Sequence, residues 1–210
     1  MNPLKYLFIV ILLSLSFQNT FGQVDKLENS EEWVHKINEQ TKEIKNLQAD
    51  FVQQKVLSFL EEPVQSSGQF WFNEPSKIRW EYTSPYHYTM IMNAGILTVK
   101  DGGDEFSSDL SSNQMFEQMT SLITGSIQGK LLSDDANYLK EYFQNEEEII
   151  VRFIPKDSQL AAYLDYMEIW FSKKTLEVDV LLMHESSGDY TKMIFTNTVT
   201  NQNISKDVFE

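Results

Sequence analysis

The chain has 210 residues, 41% of them hydrophobic and 13% aromatic, with no cysteine and a formal charge of −14. That length suits one domain with a substantial core, and the lack of cysteine excludes disulfides, thiol chemistry and a cysteine-borne lipid anchor. So acidic a chain excludes non-specific nucleic-acid binding and has little attraction for anionic membranes.

Residues 1–22 read as a cleavable signal peptide. Lys5 and the terminal amine form a short positive region, residues 6–17 are apolar but for Ser14 and Ser16, and Thr20 and Gly22 stand at the minus-three and minus-one positions before the cleavage point. The apolar run is shorter than the about 20 residues a bilayer span needs. Cleavage removes Lys5, one of 17 basic residues set against 31 acids, so the charge moves from −14 to −15. The expected product is one exported domain, residues 23–210.

Residues 29–47 predict one amphipathic helix. Asn29 and Glu32 are a candidate capping box, Lys42 and Lys45 suit its negative end, and Trp33, Val34, Ile37, Ile44 and Leu47 form its apolar stripe. The period then changes to two. Strands are expected over 49–57, 64–72, 77–82, 88–92 and 96–100, with Glu61-Glu62-Pro63 and Asn93-Ala94-Gly95 as turns. No helix interrupts these five strands, so the sheet is antiparallel.

Within this meander, Gly68, Phe70 and Phe72 alternate with Gln69, Trp71 and Asn73, and Ile78, Trp80 and Tyr82 alternate with Lys77, Arg79 and Glu81. The pattern is a hairpin with one large aromatic face, turned by Asn73-Glu74-Pro75-Ser76 and stopped at Pro85. Phe51, Phe70, Phe72, Ile78, Trp80, Tyr82, Met90 and Met92 are either the candidate apolar binding face or the plain core of a sandwich or barrel. Aromatic and methionine side chains suit a ligand that offers no hydrogen bonds to read.

Residues 101–113, rich in Gly, Ser and Asp, are expected to be a flexible connection. Met115, Phe116, Met119, Leu122, Ile123 and Ile127 return to helical spacing, with Gly125 and Gly129 as breakers. This helix is either a lid across the sheet or a core helix plugging a barrel end. Strands resume over 138–143, 148–154, 166–171, 178–184 and 190–196, with a helical turn near 158–162. The total is about ten or eleven.

Catalytic motifs are absent. His35, His87 and His184, placed on a helix, a strand and a strand end, have no metal-ligand spacing. There is no G-x-S-x-G, P-loop or G-x-G-x-x-G, and Asp101, Asp104 and Glu105 around Gly102-Gly103 lack an EF-hand spacing. The expectation is a non-enzyme without metal or cofactor; a secreted hydrolase has only the abundance of acids in its favour.

Several pieces occur together in a familiar order: Ala49-x-Phe51-x-Gln53; Gly68-x-Phe70-Trp71-Phe72-x-x-Pro75 with Trp80 and Pro85; the Asn93-Ala94-Gly95 turn; Pro155-Lys156; the acid-x-x-Gly turn at Glu185 to Gly188; and Phe195-x-Asn197. In these the chain resembles the LolA-type outer-membrane lipoprotein carrier family over nearly all of its mature length. The resemblance implies an incomplete antiparallel β-barrel, a half-barrel whose apolar concave face is covered by helices, with Met115, Phe116, Met119, Leu122 and Ile123 in the lid. It also implies a monomeric periplasmic chaperone that holds the acyl chains of lipoproteins. Such a carrier takes them from an inner-membrane ABC-type exporter to an outer-membrane acceptor. A same-fold binder of another lipid or glycolipid, or an envelope sensor of lipoproteins, is the alternative. Some members place a basic residue directly before the hairpin proline, where it holds the lid closed; here that residue is Glu74, with Arg79 at a different strand position. Members usually also carry a further strand past the last phenylalanine, whereas this sequence ends at Glu210.

Overall fold

The computed structural model describes residues 24–210; the expected signal peptide lies outside them. Twelve strands form a single antiparallel sheet. In chain order they are β1 (Asp25–Lys26), β2 (Asn46–Val56), β3 (Val64–Asn73), β4 (Lys77–Ser84), β5 (Tyr88–Asn93), β6 (Ile96–Asp101), β7 (Asp104–Asp109), β8 (Tyr138–Gln144), β9 (Glu148–Pro155), β10 (Leu164–Ser172), β11 (Val178–Glu185) and β12 (Tyr190–Thr200). The spatial order is β1-β8-β9-β10-β11-β12-β2-β3-β4-β5-β6-β7. β1 and β7 are the two edges and do not pair, so the sheet is an open half-barrel. Helices α1 (Ser30–Thr41), α2 (Gln114–Ile127) and the short α3 (Ser158–Ala161) are joined by 3₁₀ turns at Lys130–Ser133 and Lys206–Phe209.

The strand count exceeds the expected ten or eleven because two strands carry weak sequence signals. β1 is only two residues, paired with Phe143 and Gln144 of β8. β7 is the polar segment Asp-Glu-Phe-Ser-Ser-Asp, inside the stretch expected to be a flexible connection. It is turned back onto β6 by Gly102 and Gly103, which sit at positive φ between the paired residues Asp101 and Asp104. The Asn93-Ala94-Gly95 turn uses the same device: Ala94 and Gly95 both have positive φ and Asn93 pairs with Ile96.

The helix expected over 29–47 ends at Thr41. Leu47 belongs to β2, opposite Phe72, and alternates with Ala49 and Phe51, so period two begins earlier than the helical stripe suggested. The capping box is not made, since Asn29 has no side-chain capping bond. Lys42, at the end of α1, bonds to Glu39 at 2.6 Å. Helix α2 runs through Gly125 rather than breaking there; Gly129, at φ 66°, stops it. A Cβ at Gly125 would stand 3.0 Å from the Leu131 side chain, so the missing methyl lets the Lys130–Ser133 turn close against the helix.

Cross-strand registers carry one apolar face along the sheet from β5 to β9. Phe51 of β2 lies opposite Phe195 of β12 and Gly68 of β3; Phe70 opposite Trp80 and Phe72 opposite Ile78; Trp80 opposite Met90 and Ile78 opposite Met92. In the other direction Met193 faces Leu181, Leu181 faces Ile169, and Ile169 faces Val151. These concave-face residues form one buried cluster with Ile37 of α1, Leu122 and Ile127 of α2, and Leu131 and Leu132 of the following turn.

The outer face is built differently. Arg152 donates to Glu168 at 2.7 Å and lies 4.4 Å from the Tyr166 ring centre, while the Trp170 Nε1–H donates to Glu168 at 2.9 Å. At the other end of the sheet the Lys206–Phe209 turn rests on the outer side of β4, where Arg79 donates to the Val208 carbonyl at 3.2 Å. Cationic stems and paired charges finish this surface instead of a second core.

Candidate functional site

The hairpin that dominates the sequence is where the concave face is densest in aromatic rings. Phe70 and Trp80 meet edge to face at 4.9 Å, and Phe51 meets Trp80 at 5.9 Å and Tyr82 at 5.1 Å. Tyr82 stacks on Tyr88 at 4.3 Å. Gly68 makes the crossing possible: a Cβ there would fall 1.8 Å from the Glu81 carbonyl oxygen, so β3 and β4 approach more closely than any side chain allows.

All eight residues expected on the binding face share it. Phe51, Phe70, Phe72, Ile78, Trp80 and Tyr82 are buried, and Met90 and Met92 are partly buried at the margin. The polar handle on the face is Tyr82, whose hydroxyl donates to Gln53 Oε1 at 2.8 Å. Burial, then the neighbouring Tyr88, raises the Tyr82 pKa far above the ordinary phenol value, so it stays a neutral donor.

Helix α2 forms part of the cover. Leu122 is buried in the shared cluster, Ile123 packs against its edge and Phe116 is half-buried; the side chains of Met115 and Met119 lie outside the described residues. Asn113 caps the helix by accepting from the Phe116 N–H at 3.0 Å. At its other end Gln128 donates to the Ile44 carbonyl at 3.2 Å, and Gly129 sits so close to Thr41 that a Cβ would fall 2.2 Å from its hydroxyl. The C-terminal end is therefore tied to the segment leading into β2, while the N-terminal half borders a cavity of ≈ 400 Å³. Met92, Ala94 and Gly95 of the β5–β6 hairpin form one wall, and Phe116, Thr120 and Thr124 of α2 form another. The Thr120 hydroxyl stands 3.9 Å from Met92 Sδ across it.

Sequence reasoning found the β2–β5 half of the face and missed the rest: Val151, Phe153, Met167, Ile169, Phe171, Leu181, Met193 and Phe195. Alternation was the available signal, but Ile149-Ile150-Val151 is buried on both faces of β9 and blurs it. Arg79 is not a lid contact. It lies on the outer face, bonded to Glu81 at 2.7 Å, and Glu74 takes part through its backbone N–H to the Lys45 carbonyl at 2.8 Å. His87 is exposed in the loop before β5, not in a strand as expected, and His184 lies on the outer face between Tyr166 and Tyr190. Among the described residues there is no cluster of three or more potential metal ligands.

Fold and site together define a class: an open antiparallel half-barrel whose apolar inner face is shielded by helices, with a cavity of mixed polar and apolar lining at the rim. The profile of the family described as "Outer membrane lipoprotein carrier protein LolA" matches residues 42–210, and the chain belongs to that family. An outer-membrane lipoprotein carrier protein of Methylococcus capsulatus is 27% identical over 174 residues, which covers 79% of this chain and 76% of the relative. Among solved structures, MucB overlays with a TM-score of 0.49 at 13% identity, covering 86% of this chain; this chain spans 62% of MucB. A LolA superfamily protein of Nitrosomonas europaea overlays with a TM-score of 0.45 at 10% identity, covering 86% of this chain and 96% of that one.

Proposed function

We propose that this protein is a periplasmic carrier that binds the acyl chains of lipoproteins released from the inner membrane and delivers them to an outer-membrane acceptor. The observation that carries the reading is the predominantly apolar concave face, covered by α1 and α2 and bordered by the cavity beside Met92 and Phe116. Each acyl chain loses roughly 0.8 kcal/mol per methylene when exposed to water, so a soluble carrier must offer continuous non-directional apolar contact. Phe51, Phe70, Phe72, Ile78, Trp80, Tyr82, Met90 and Met92 supply it, and Phe116, Leu122 and Ile123 of α2 are displaced as the lid. The name of the Methylococcus relative supports lipoprotein as the cargo. An inner-membrane ABC-type exporter is the donor.

The test is native mass spectrometry of the protein recovered from periplasm, followed by lipoprotein release from spheroplasts with and without added protein. Bound acylated protein and stimulated release are expected. A bound phospholipid or glycolipid without stimulated release would replace lipoprotein carriage with a different lipid cargo. Recovery free of any acylated species, with no release, would refute the reading.

A further inference from the structure

Trp80 carries the one buried, unpartnered polar atom on the concave face. Among the described residues four buried side-chain polar atoms lack a hydrogen-bond partner: Asn46 Oδ1, Trp80 Nε1, Gln128 Oε1 and His184 Nδ1. Asn46 and His184 lie on the outward side of their strands by register, and Gln128 caps α2. Trp80 is 6% exposed. Indole N–H is a donor only, and a buried donor is nearly always satisfied.

Its surroundings explain why nothing on the face satisfies it. The rings of Phe70 and Phe51 lie against it, Met90 is its register partner, and the Tyr82 hydroxyl, which donates to Gln53, makes no hydrogen bond to it. An acceptor carried in by an otherwise apolar guest would satisfy it. Room for such a body begins one step away. Met92, in the cavity wall, is two residues along β5 from Met90, a diagonal neighbour of Trp80 at roughly 7–8 Å.

We infer that Trp80 is a specificity residue whose indole N–H donates to the carbonyl oxygen at the head of a bound acyl chain, so that the face distinguishes acyl esters and amides from bare hydrocarbon. The inference rests on the carrier reading and adds a directional contact to it. The chain enters beside Met92, its methylenes replace the α2 contacts, and its carbonyl meets the buried side-chain donor that, among the described residues of the concave face, has no partner.

The test uses two probes that differ only in that carbonyl: monopalmitoylglycerol and the matching hexadecyl glyceryl ether. Each is titrated below its micellar concentration into delipidated, ¹⁵N-labelled mature protein. One neutral hydrogen bond gives about a five- to tenfold preference for the ester, and Trp80→Phe brings the ester-to-ether ratio to about one. In the unsubstituted protein, ester but not ether moves the Trp80 indole proton downfield, a readout that stands even if the variant fails to fold. A ratio near one in the unsubstituted protein would overturn the inference, as would a ratio that survives Trp80→Phe. An indole proton held upfield and unmoved by ester would also do so, by showing the N–H aimed at the Phe70 or Phe51 ring. Binding of neither probe would overturn the carrier reading and this inference with it; equal binding of both overturns the inference alone.

Discussion

Leu122→Ala separates a lid from a core helix. Leu122 is 2% exposed and joins α2 to the concave cluster, so its truncation should cost about 2–5 kcal/mol of stability. If α2 opens to admit a chain, the same contact is lost on opening, and the substitution also tilts the closed-to-open balance. A tilt of about 2 kcal/mol raises a minor open population roughly 30-fold and lowers the apparent dissociation constant for an acyl ligand by a similar factor. The expected pair of results is thus a lower urea midpoint with tighter binding of a fluorescent fatty-acid probe. Ile150→Ala is the control. Ile150 is equally buried but on the outer face, away from the cover, so it should lose comparable stability without gaining affinity. Equal or weaker binding by Leu122→Ala relative to this control would refute the lid and leave α2 as fixed core.

Met92→Glu places a carboxylate in the cavity wall at a half-buried margin; it should leave the fold intact by circular dichroism and weaken acyl binding at least about tenfold, the equivalent of 1.4 kcal/mol. Unchanged binding would remove this cavity from the ligand path. Gly68→Ala should destabilise by about 3 kcal/mol or more, because the new methyl meets the Glu81 carbonyl and not a movable side chain; a urea-derived loss below about 1 kcal/mol would contradict that close approach. Asp179 is held above the usual carboxylate range by burial, then by Glu148 and Glu147. The folded protein therefore holds this proton more tightly than the unfolded chain, and stability falls as pH rises from 3.8 through the raised value. Asp179→Asn should be the more stable form at neutral pH, with a gain that disappears on acidification below the unfolded value; a gain independent of pH would refute the assignment.

Legibility in the sequence followed the strength of the period. Gly68 to Tyr82 was plain because its large inward residues recur at every second position, broken only by Trp71 on the outer side, and the register pairs follow from that period and the turn around Pro75. β7 was hidden because Asp104 to Asp109 has no buried side for a pattern to mark: Ser108 is half-buried and the others are exposed. Its strand is imposed by the Gly102-Gly103 reversal and by β6 alongside. The helix end was misplaced because Ile44 is buried after α1 has finished, and Leu47 serves a strand while sitting at helical spacing from it. The apolar concave face was readable as chemistry but not as a boundary. Nothing in the residues says whether an apolar face is sealed by its own helices for good or only until a guest arrives.

Energies decide which of those the same contacts can support. Burying a leucine or isoleucine contributes about 1.5–3 kcal/mol, so Leu122 and Ile127 together hold α2 down by several kcal/mol, less the entropy of ordering it. A palmitoyl chain brings about fifteen methylenes at about 0.8 kcal/mol each, enough to offset those contacts, and a lipoprotein brings more than one chain. On the carrier reading, a cover of this size would be stable over an empty face yet yield to acylated cargo. An all-leucine seam along α2 would tip the balance the other way; instead the buried Ser126 sits among the apolar positions, and Thr120 and Thr124 face the cavity. Substituting Thr120 and Thr124, which line the cavity, with leucine should therefore raise stability and lower acyl binding together. Gains in both would show that the cover and the cargo do not compete for one face.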